Sequence, residues 1–171
     1  QMNDLPFLLH ELSDSYNILE IQGQKIQRYK SLYFDTEDKV FFLQHHNSRV
    51  NRNKVRFREY VGSGLVFLEV KLKNNKGKTI KKRVKVDSIS NTLSQDHQDY
   101  VEQVIGKKMD LTPQHWIFFD RITFVDKLYK ERLTIDLNLE FLKEQKKGSF
   151  QNIVVAEIKT ERSSVSSVFK S

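Results

Sequence analysis

Residues 54 to 85 read KVRFREYVGSGLVFLEVKLKNNKGKTIKKRVK, and this stretch decides the fold. Apolar and charged side chains alternate along it, and the segments GSG and NNKG interrupt the alternation. A period of two is typical of strands, whereas glycine and asparagine are typical of hairpin turns. We therefore predict a three-strand antiparallel meander that has one apolar face and one ionic face.

Three later segments alternate in the same way. They are HWIFFDRITF at 115–124, KERLTIDLNLEF at 130–141 and IVVAEIKT at 153–160. The alternation predicts three more strands, each with charged residues along one face. A single strand of this kind is usually explained by a solvated outer face, but six strands with the same pattern need a further explanation.

The remaining segments predict helices and short strands. Residues 3–16 and 91–105 carry apolar side chains at helical spacing, and Gly106 is expected to end the second helix. Residues 18–21, 26–34 and 40–44 are predicted strands, and 143–148 is predicted to be a charged loop. The tail at 161–169 could begin a last helix. The expected fold class is α+β.

Composition limits the functional classes. A chain of 171 residues fits one domain, and 29 basic against 22 acidic residues give a net charge of 29 − 22 = +7. This charge favours a polyanionic partner such as nucleic acid, anionic lipid or a phosphate compound. The absence of cysteine excludes disulfides and thiolate chemistry. Because no apolar run reaches membrane-spanning length and no signal peptide is present, we predict a soluble, cytoplasmic domain that could attach to a membrane only through regions outside this chain.

The ionic faces of the six predicted strands hold more cations than carboxylates. The nine cations are Arg56, Arg58, Lys71, Lys73, Lys81, Arg83, Arg121, Arg132 and Lys159, and the three carboxylates are Glu69, Asp136 and Glu157. If these faces line a closed sheet, the apolar faces must point outward and be covered by the helices. We therefore predict an antiparallel β-barrel with a basic lumen and helices packed outside.

Such a lumen must contain water and a polyanion, because an unpaired charge in a dry interior costs several kcal/mol. Arginine forks suit phosphate oxygens, since two parallel donors meet two acceptors. A glutamate among the cations gains nothing from a phosphate, but it can hold a divalent cation that bridges phosphate oxygens. The pattern therefore favours a phosphate-binding tunnel with a metal.

Six motifs resemble a known family. They are YKSLYFDT (29–36), KVRFREY (54–60), FLEVKLK (67–73), IKKRVKV (80–86), DRITF with ERLTIDLNL (120–139) and AEIK (156–159). In this order they look like the VTC domain, the polyphosphate polymerase domain of the vacuolar transporter chaperone type. That domain is placed in the triphosphate tunnel metalloenzyme superfamily, which also contains the CYTH proteins. The resemblance covers most of the chain.

The resemblance implies a tunnel that binds a nucleoside triphosphate and threads a growing polyphosphate chain, with Mn²⁺ or Mg²⁺ on a glutamate. By motif, the residues implied for catalysis are Arg56, Arg58, Lys71, Arg121 and Arg132. The implied phosphate-binding set adds Lys81 and Arg83, and the ionic rows add Lys73 and Lys159. Glu157 matches the metal-binding glutamate of the family, and we take Glu69 as a second metal carboxylate.

The sequence also departs from the family pattern. The family has a first strand with a phosphate-binding lysine, which should precede Asn3, and a closing basic segment of the form F-S-K-Y, which should follow Ser171. Phe119 stands where the family often has tyrosine. We therefore expect residues 1–171 to form a single tunnel domain of this type that lacks both segments.

For the reaction, we hypothesise transfer of the terminal phosphoryl group of ATP to polyphosphate. The acceptor phosphate is already ionised at neutral pH, so the protein has to position the substrates and neutralise charge rather than supply a strong base. The same residues could instead pass the group to water, as in a triphosphatase, or bind polyphosphate or an inositol phosphate without catalysis, as in a sensor. A nucleic-acid partner is not expected, because acids lie among the cations and no RNP-like, finger or helix-turn-helix motif is present.

Overall fold

A computed structural model describes residues 1–76, 78–128, 131–150 and 152–160. Within that range the helices are α1 (Leu5–Leu12), α2 (Val40–His46) and α3 (Gln95–Ile105), and a 3-10 turn at Met2–Asp4 precedes α1. The strands are β1 (Tyr16–Ile18), β2 (Ile26–Asp35), β3 (Arg52–Tyr60), β4 (Leu65–Lys73), β5 (Thr79–Val86), β6 (Thr112–Asp126), β7 (Glu131–Lys143), β8 (Lys146–Phe150) and β9 (Val155–Thr160). The predicted α+β class is confirmed.

The strands form one sheet in the order β5-β4-β3-β2-β6-β7-β8, while β1 pairs with β6 and β9 pairs with β7. The meander of β3, β4 and β5 is antiparallel, as predicted. The prediction of a closed barrel is wrong. Closure requires the two outer strands to pair, but within the described residues β5 and β8 end the strand order and the sheet stays open.

The chain divides into two compact units. The first, here called the meander unit, consists of Lys30–Ile117 and Phe141–Lys147. The second, here called the terminal unit, consists of Gln1–Tyr29, Phe118–Glu140 and the described residues from Gly148 onward. The long strands β2, β6 and β7 contribute residues to both units.

The core of the meander unit lies between its strands and two helices. Val55 and Phe57 of β3 and Leu68 and Val70 of β4 are almost completely buried, and Phe41 of α2 belongs to the same cluster. From α3 the cluster receives Val101. The apolar face of the meander is therefore covered by helices, and its ionic face is left on the other side.

The terminal unit has a separate core. Leu12 of α1 packs with Ile122 and Phe124 of β6 and with Leu133 and Ile135 of β7. The same alternation operates here, because the residues between these positions point to the opposite face. Arg121 and Asp136 lie on that opposite face.

Three segments differ from their predictions. Residues 40–44, predicted as a strand, belong to helix α2. The predicted loop at 143–148 contains the start of β8, and Glu144, with φ of +54°, lies in the turn that joins β7 to β8. The strand predicted at 18–21 is displaced to Tyr16–Ile18. The helix predicted within 161–169 lies outside the described residues.

Helix α3 ends at Gly106 as predicted, but it begins at Gln95 rather than at residue 91. Ser94 caps its first turn by accepting a hydrogen bond from the backbone N–H of His97, and Gly106 ends it in the left-handed conformation, with φ of +84°. In the described part of the chain, no helix has the length and apolar character needed to cross a membrane.

Candidate functional site

The ionic face of the meander is a grid of basic side chains, here called the basic face. In an antiparallel pair, directly opposite residues lie on the same face. The register aligns Lys54 with Lys71 and Lys71 with Lys81 across the three strands. Neighbouring rows align Arg56, Glu69 and Arg83, and then Arg58, Phe67 and Lys85, while Lys73 pairs with Arg52.

The row of three lysines has an energetic consequence. Like charges directly opposite each other in a sheet are destabilising. Lys54, Lys71 and Lys81 are exposed, so water and salt reduce this repulsion. A ligand with several negative charges would relieve the repulsion between these lysines and would itself be attracted to them. The row is therefore suited to a polyanion.

Arg56 shares a row of the basic face with Glu69 and Arg83, and its guanidinium is held by two partners. Its Nε and Nη2 donate to Oε2 of Glu69 at 2.8 and 2.6 Å, and its Nη1 donates to the hydroxyl of Tyr33 at 2.7 Å. Burial alone would lower the pKa of Arg56, but Tyr33 and Glu69 outweigh it and raise the pKa. Since a guanidinium has five N–H groups, these three bonds leave donors for a phosphate oxygen.

Tyr33 of β2 is influenced by the same cations. Burial would raise the pKa of its hydroxyl, but the charges of Arg56, Arg58 and Lys54 outweigh burial and lower the pKa. Its ring stacks on His115, with centroids 5.1 Å apart and planes 13° apart. Tyr33 therefore fixes Arg56 and is itself fixed by His115.

Arg58 is the most buried cation of the basic face, with 8% of its surface exposed. Its Nε donates to Oγ of Ser31 at 3.1 Å. Burial, together with the neighbouring charge of Arg56, lowers the pKa of Arg58. Arg83 is exposed and lies over the ring of Phe67, 4.6 Å from its centre.

The terminal unit has an ionic face of its own, centred on Arg121. The guanidinium meets Asp136 as a fork, with Nε to Oδ1 at 2.5 Å and Nη2 to Oδ2 at 2.6 Å. It also lies 5.3 Å from the ring centre of Tyr29 and 5.1 Å from that of Phe119. Burial alone would lower the pKa of Arg121, but Asp136, by hydrogen bonding and charge, outweighs it and raises the pKa. Asp136 is therefore the structural partner of Arg121.

The register of β7 and β9 places the remaining predicted residues on this face. Arg132 is opposite Lys159, and Thr134 is opposite Glu157. The carboxylate of Glu157 forms an ion pair with Nζ of Lys159 at 3.3 Å, and 55% of the Glu157 side chain is exposed. Its charge is among the influences that raise the pKa of Arg121.

The predicted site residues therefore fall into two groups. Arg56, Arg58, Lys71, Lys73, Lys81, Arg83 and Glu69 share the basic face of the meander unit, and Arg121, Arg132, Lys159 and Glu157 share the ionic face of the terminal unit. Within each unit the structure brings the predicted residues together. The roles assigned to them stay predictions.

The two predicted metal carboxylates differ in their surroundings. Glu69 accepts both of its hydrogen bonds from Arg56, whereas Glu157 is exposed beside Lys159. Among residues 1–76, 78–128, 131–150 and 152–160, no three His, Asp or Glu side chains form a group that could hold a metal. Divalent cations such as Mg²⁺ are often held by one or two carboxylates together with substrate phosphates. The exposed carboxylate of Glu157 fits a site of that kind, and its role as a metal ligand stays a prediction.

Sequence reasoning missed several residues at the basic face. Lys54 lies two residues before Arg56 in β3, and the period of two already placed it on the same face. Ser31 and Tyr33 alternate in the same way along β2, and they hold Arg58 and Arg56. His115 carried no such signal, because its contact with Tyr33 depends on which strands become neighbours.

The fold and these two faces define an α+β protein with a mostly antiparallel sheet and an ionic face in each unit. The chain belongs to the VTC domain family, since the sequence model of that family matches residues 1–170. This family is associated with polyphosphate metabolism. The predicted family resemblance is thereby confirmed.

The solved structures that are similar to the chain include two proteins from Pyrococcus. One is a conserved hypothetical protein from Pyrococcus furiosus, with 14% identity and a TM-score of 0.46, over 82% of this chain and 70% of that one. The other is the PH1012 protein from Pyrococcus horikoshii OT3, with 12% identity and a TM-score of 0.33, over 80% and 72%. None of the curated proteins compared with the chain matches it.

Proposed function

We propose that this protein binds nucleoside triphosphate and polyphosphate on its basic face and transfers the terminal phosphoryl group to a polyphosphate chain. The observation that carries the proposal is the alignment of Lys54, Lys71 and Lys81 directly across three strands. A phosphate chain carries negative charge on every unit, so it can meet one cation after another along such a row. Membership in the VTC domain family supports the same ligand.

The arginines of the basic face complement the lysine row. Arginine binds phosphate through parallel N–H donors, and charge-assisted bonds of this kind contribute about 1.5–3 kcal/mol each. Glu69 and Tyr33 hold Arg56 in one orientation before a ligand arrives. Pre-orientation lowers the entropy lost on binding, because the side chain is already ordered.

In the proposed reaction, the side chains position the phosphates and neutralise developing charge. The attacking oxygen belongs to an ionised phosphate, so the chemistry requires no strong general base. Exposed lysines and the buried guanidinium of Arg58 supply positive charge around the chain. The ionic face of the terminal unit carries three further cations, Arg121, Arg132 and Lys159, and we propose that they bind phosphate on that face.

We assign Glu157, on the ionic face of the terminal unit, as the carboxylate that would hold Mg²⁺ or Mn²⁺ beside a phosphate bound to that face. When bound, such an ion neutralises charge on the phosphate oxygens. Glu69 is the weaker candidate, because Arg56 already donates two hydrogen bonds to its carboxylate.

The direct test supplies the protein with ATP and Mn²⁺ or Mg²⁺ and analyses the products by size. The proposal predicts long-chain polyphosphate together with ADP. Release of orthophosphate alone would show that the protein is a triphosphatase and not a polymerase. The Glu157→Gln variant should abolish product formation, since it removes the charge of the proposed metal ligand.

A non-catalytic sensor of polyphosphate or inositol phosphates is the second candidate. The engagement of Glu69 by Arg56 favours it, because this carboxylate is then a structural partner of the arginine rather than a metal ligand. Polyphosphate binding that is unchanged in Glu157→Gln, without turnover in either protein, would support the sensor.

A further inference from the structure

A cavity of about 430 Å³ lies within the meander unit, beside the basic face. Its walls are largely apolar, with Phe34, Phe41, Phe42 and Ile117 among the lining residues. Cavities of roughly 300–1,000 Å³ with apolar walls and a few polar groups are typical of small-molecule sites. This cavity has the size and lining expected for a part of a small ligand.

Two residues belong to both the cavity and the basic face. Lys54 lines the cavity and begins the lysine row that continues to Lys71 and Lys81. Tyr33 lines the cavity, and its hydroxyl accepts a hydrogen bond from Arg56. One ligand could therefore occupy the cavity and contact the cations of the basic face at the same time.

The polar groups of the cavity suit an uncharged planar group next to anionic phosphates. Burial and the charge of Lys143 lower the pKa of His115, and burial and Lys54 lower that of His45, so both imidazoles are neutral at pH 7. The carboxylate of Asp35 is occupied by the backbone N–H groups of Thr36, Phe41 and Phe42, each at 2.8 Å. Neutral rings can stack on a heterocyclic base, and Lys54 can meet its phosphates.

We propose that this cavity is the nucleoside subsite for the triphosphate donor, whose phosphates extend onto the row Lys54, Lys71 and Lys81. The inference rests on the proposed function, because it places the nucleoside of the donor next to the lysine row that is proposed to bind the phosphates of the donor. An inorganic phosphate chain has no apolar part and would gain nothing from Phe42 or Ile117. A nucleoside triphosphate combines both parts in one molecule.

The test compares two ligands that share a triphosphate, namely ATP and inorganic tripolyphosphate, by measuring the Kd of each. The test variant is Phe42→Ala, which removes an aromatic wall whose side chain is 58% exposed, so the fold should be preserved. The matched control is Leu43→Ala, the next residue of α2, which is also exposed and does not line the cavity. Stacking of one base on an aromatic ring contributes about 1–3 kcal/mol.

We expect Phe42→Ala to raise the Kd of ATP by about fivefold or more and to leave the Kd of tripolyphosphate within twofold of the parent. Leu43→Ala should change neither value. The subsite is wrong if tripolyphosphate binds the parent protein but Phe42→Ala leaves ATP binding unchanged or weakens both ligands equally. If tripolyphosphate does not bind the parent protein at all, the proposed function fails, and the subsite fails with it.

Discussion

At the scale of single residues, Arg56 shows how one guanidinium is held ready for a ligand. Glu69 and Tyr33 take three of its N–H groups, and the same carboxylate supplies the negative charge of the central row. A phosphate chain on the basic face would therefore approach Arg56 and Glu69 together. Glu69 attracts the arginine but repels the ligand.

Replacing Glu69 by Gln should strengthen phosphate binding. Without divalent metal, we expect the Kd of tripolyphosphate to fall about fivefold, because one negative charge near the ligand contributes roughly 1 kcal/mol. Isothermal titration calorimetry measures this value. Glu59→Gln is the matched control. It removes the same charge from the neighbouring strand β3, where Glu59 pairs with Lys30 at 3.3 Å and lies on the other face.

The Glu59→Gln protein should bind tripolyphosphate as the parent does. Weaker metal-free binding in Glu69→Gln would contradict this view of the central row. It would mean that the orientation of Arg56 by Glu69 matters more than the repulsion between Glu69 and the ligand.

At the scale of elements, α2 depends on one buried carboxylate. Asp35 at the end of β2 is 6% exposed, and it accepts hydrogen bonds from the backbone N–H groups of Phe41 and Phe42. Thr36 adds a hydroxyl that accepts from the backbone N–H of Val40. These bonds satisfy donors that the first turn of a helix cannot pair internally.

Asp35→Ala should destabilise the protein by about 2 kcal/mol or more, because it removes a helix cap and leaves buried N–H groups without an acceptor. Urea denaturation followed by circular dichroism measures the loss. The control is Asp38→Ala, which removes an exposed carboxylate from the same connection. Equal losses in the two variants would show that Asp35 does not hold α2.

Sequence patterns predicted the elements best where their periods were long and regular. The meander alternates over three strands, and α3 has both an apolar stripe and a stop signal at Gly106. By contrast, VFFLQHH at 40–46 is too short for its period to distinguish helix from strand. The buried carboxylate of Asp35, five residues before the start of this helix, accepts hydrogen bonds from its first turn, and the hydrophobic period does not reveal that contact.

At the scale of the whole molecule, alternation predicts which side chains share a face but not how strands are ordered. The cations of β3, β4 and β5 could be assigned to one face because hairpins fix the register of consecutive strands. The pairing of Arg121 with Asp136 requires strands β6 and β7 to be neighbours in the sheet, which alternation does not determine. Alternation alone also does not determine whether the outer strands pair with each other. For this reason the prediction of a closed barrel was wrong.

The central claim is that the basic face, rather than the net charge of +7, binds phosphate chains. Lys81 and Lys82 are neighbours in β5 and both are exposed, but Lys81 is opposite Lys71 on the basic face and Lys82 is opposite Val70 of the core face. Changing either lysine to Gln removes the same charge from the same strand. A difference between the two variants therefore reports the face and not the charge.

The most direct measurement is the Kd of tripolyphosphate for Lys81→Gln and Lys82→Gln at one fixed salt concentration. We expect Lys81→Gln to weaken binding by about fivefold or more, since it removes a charge-assisted contact, and Lys82→Gln to stay within twofold of the parent. Equal weakening in both variants, or no change in either, would contradict the central claim.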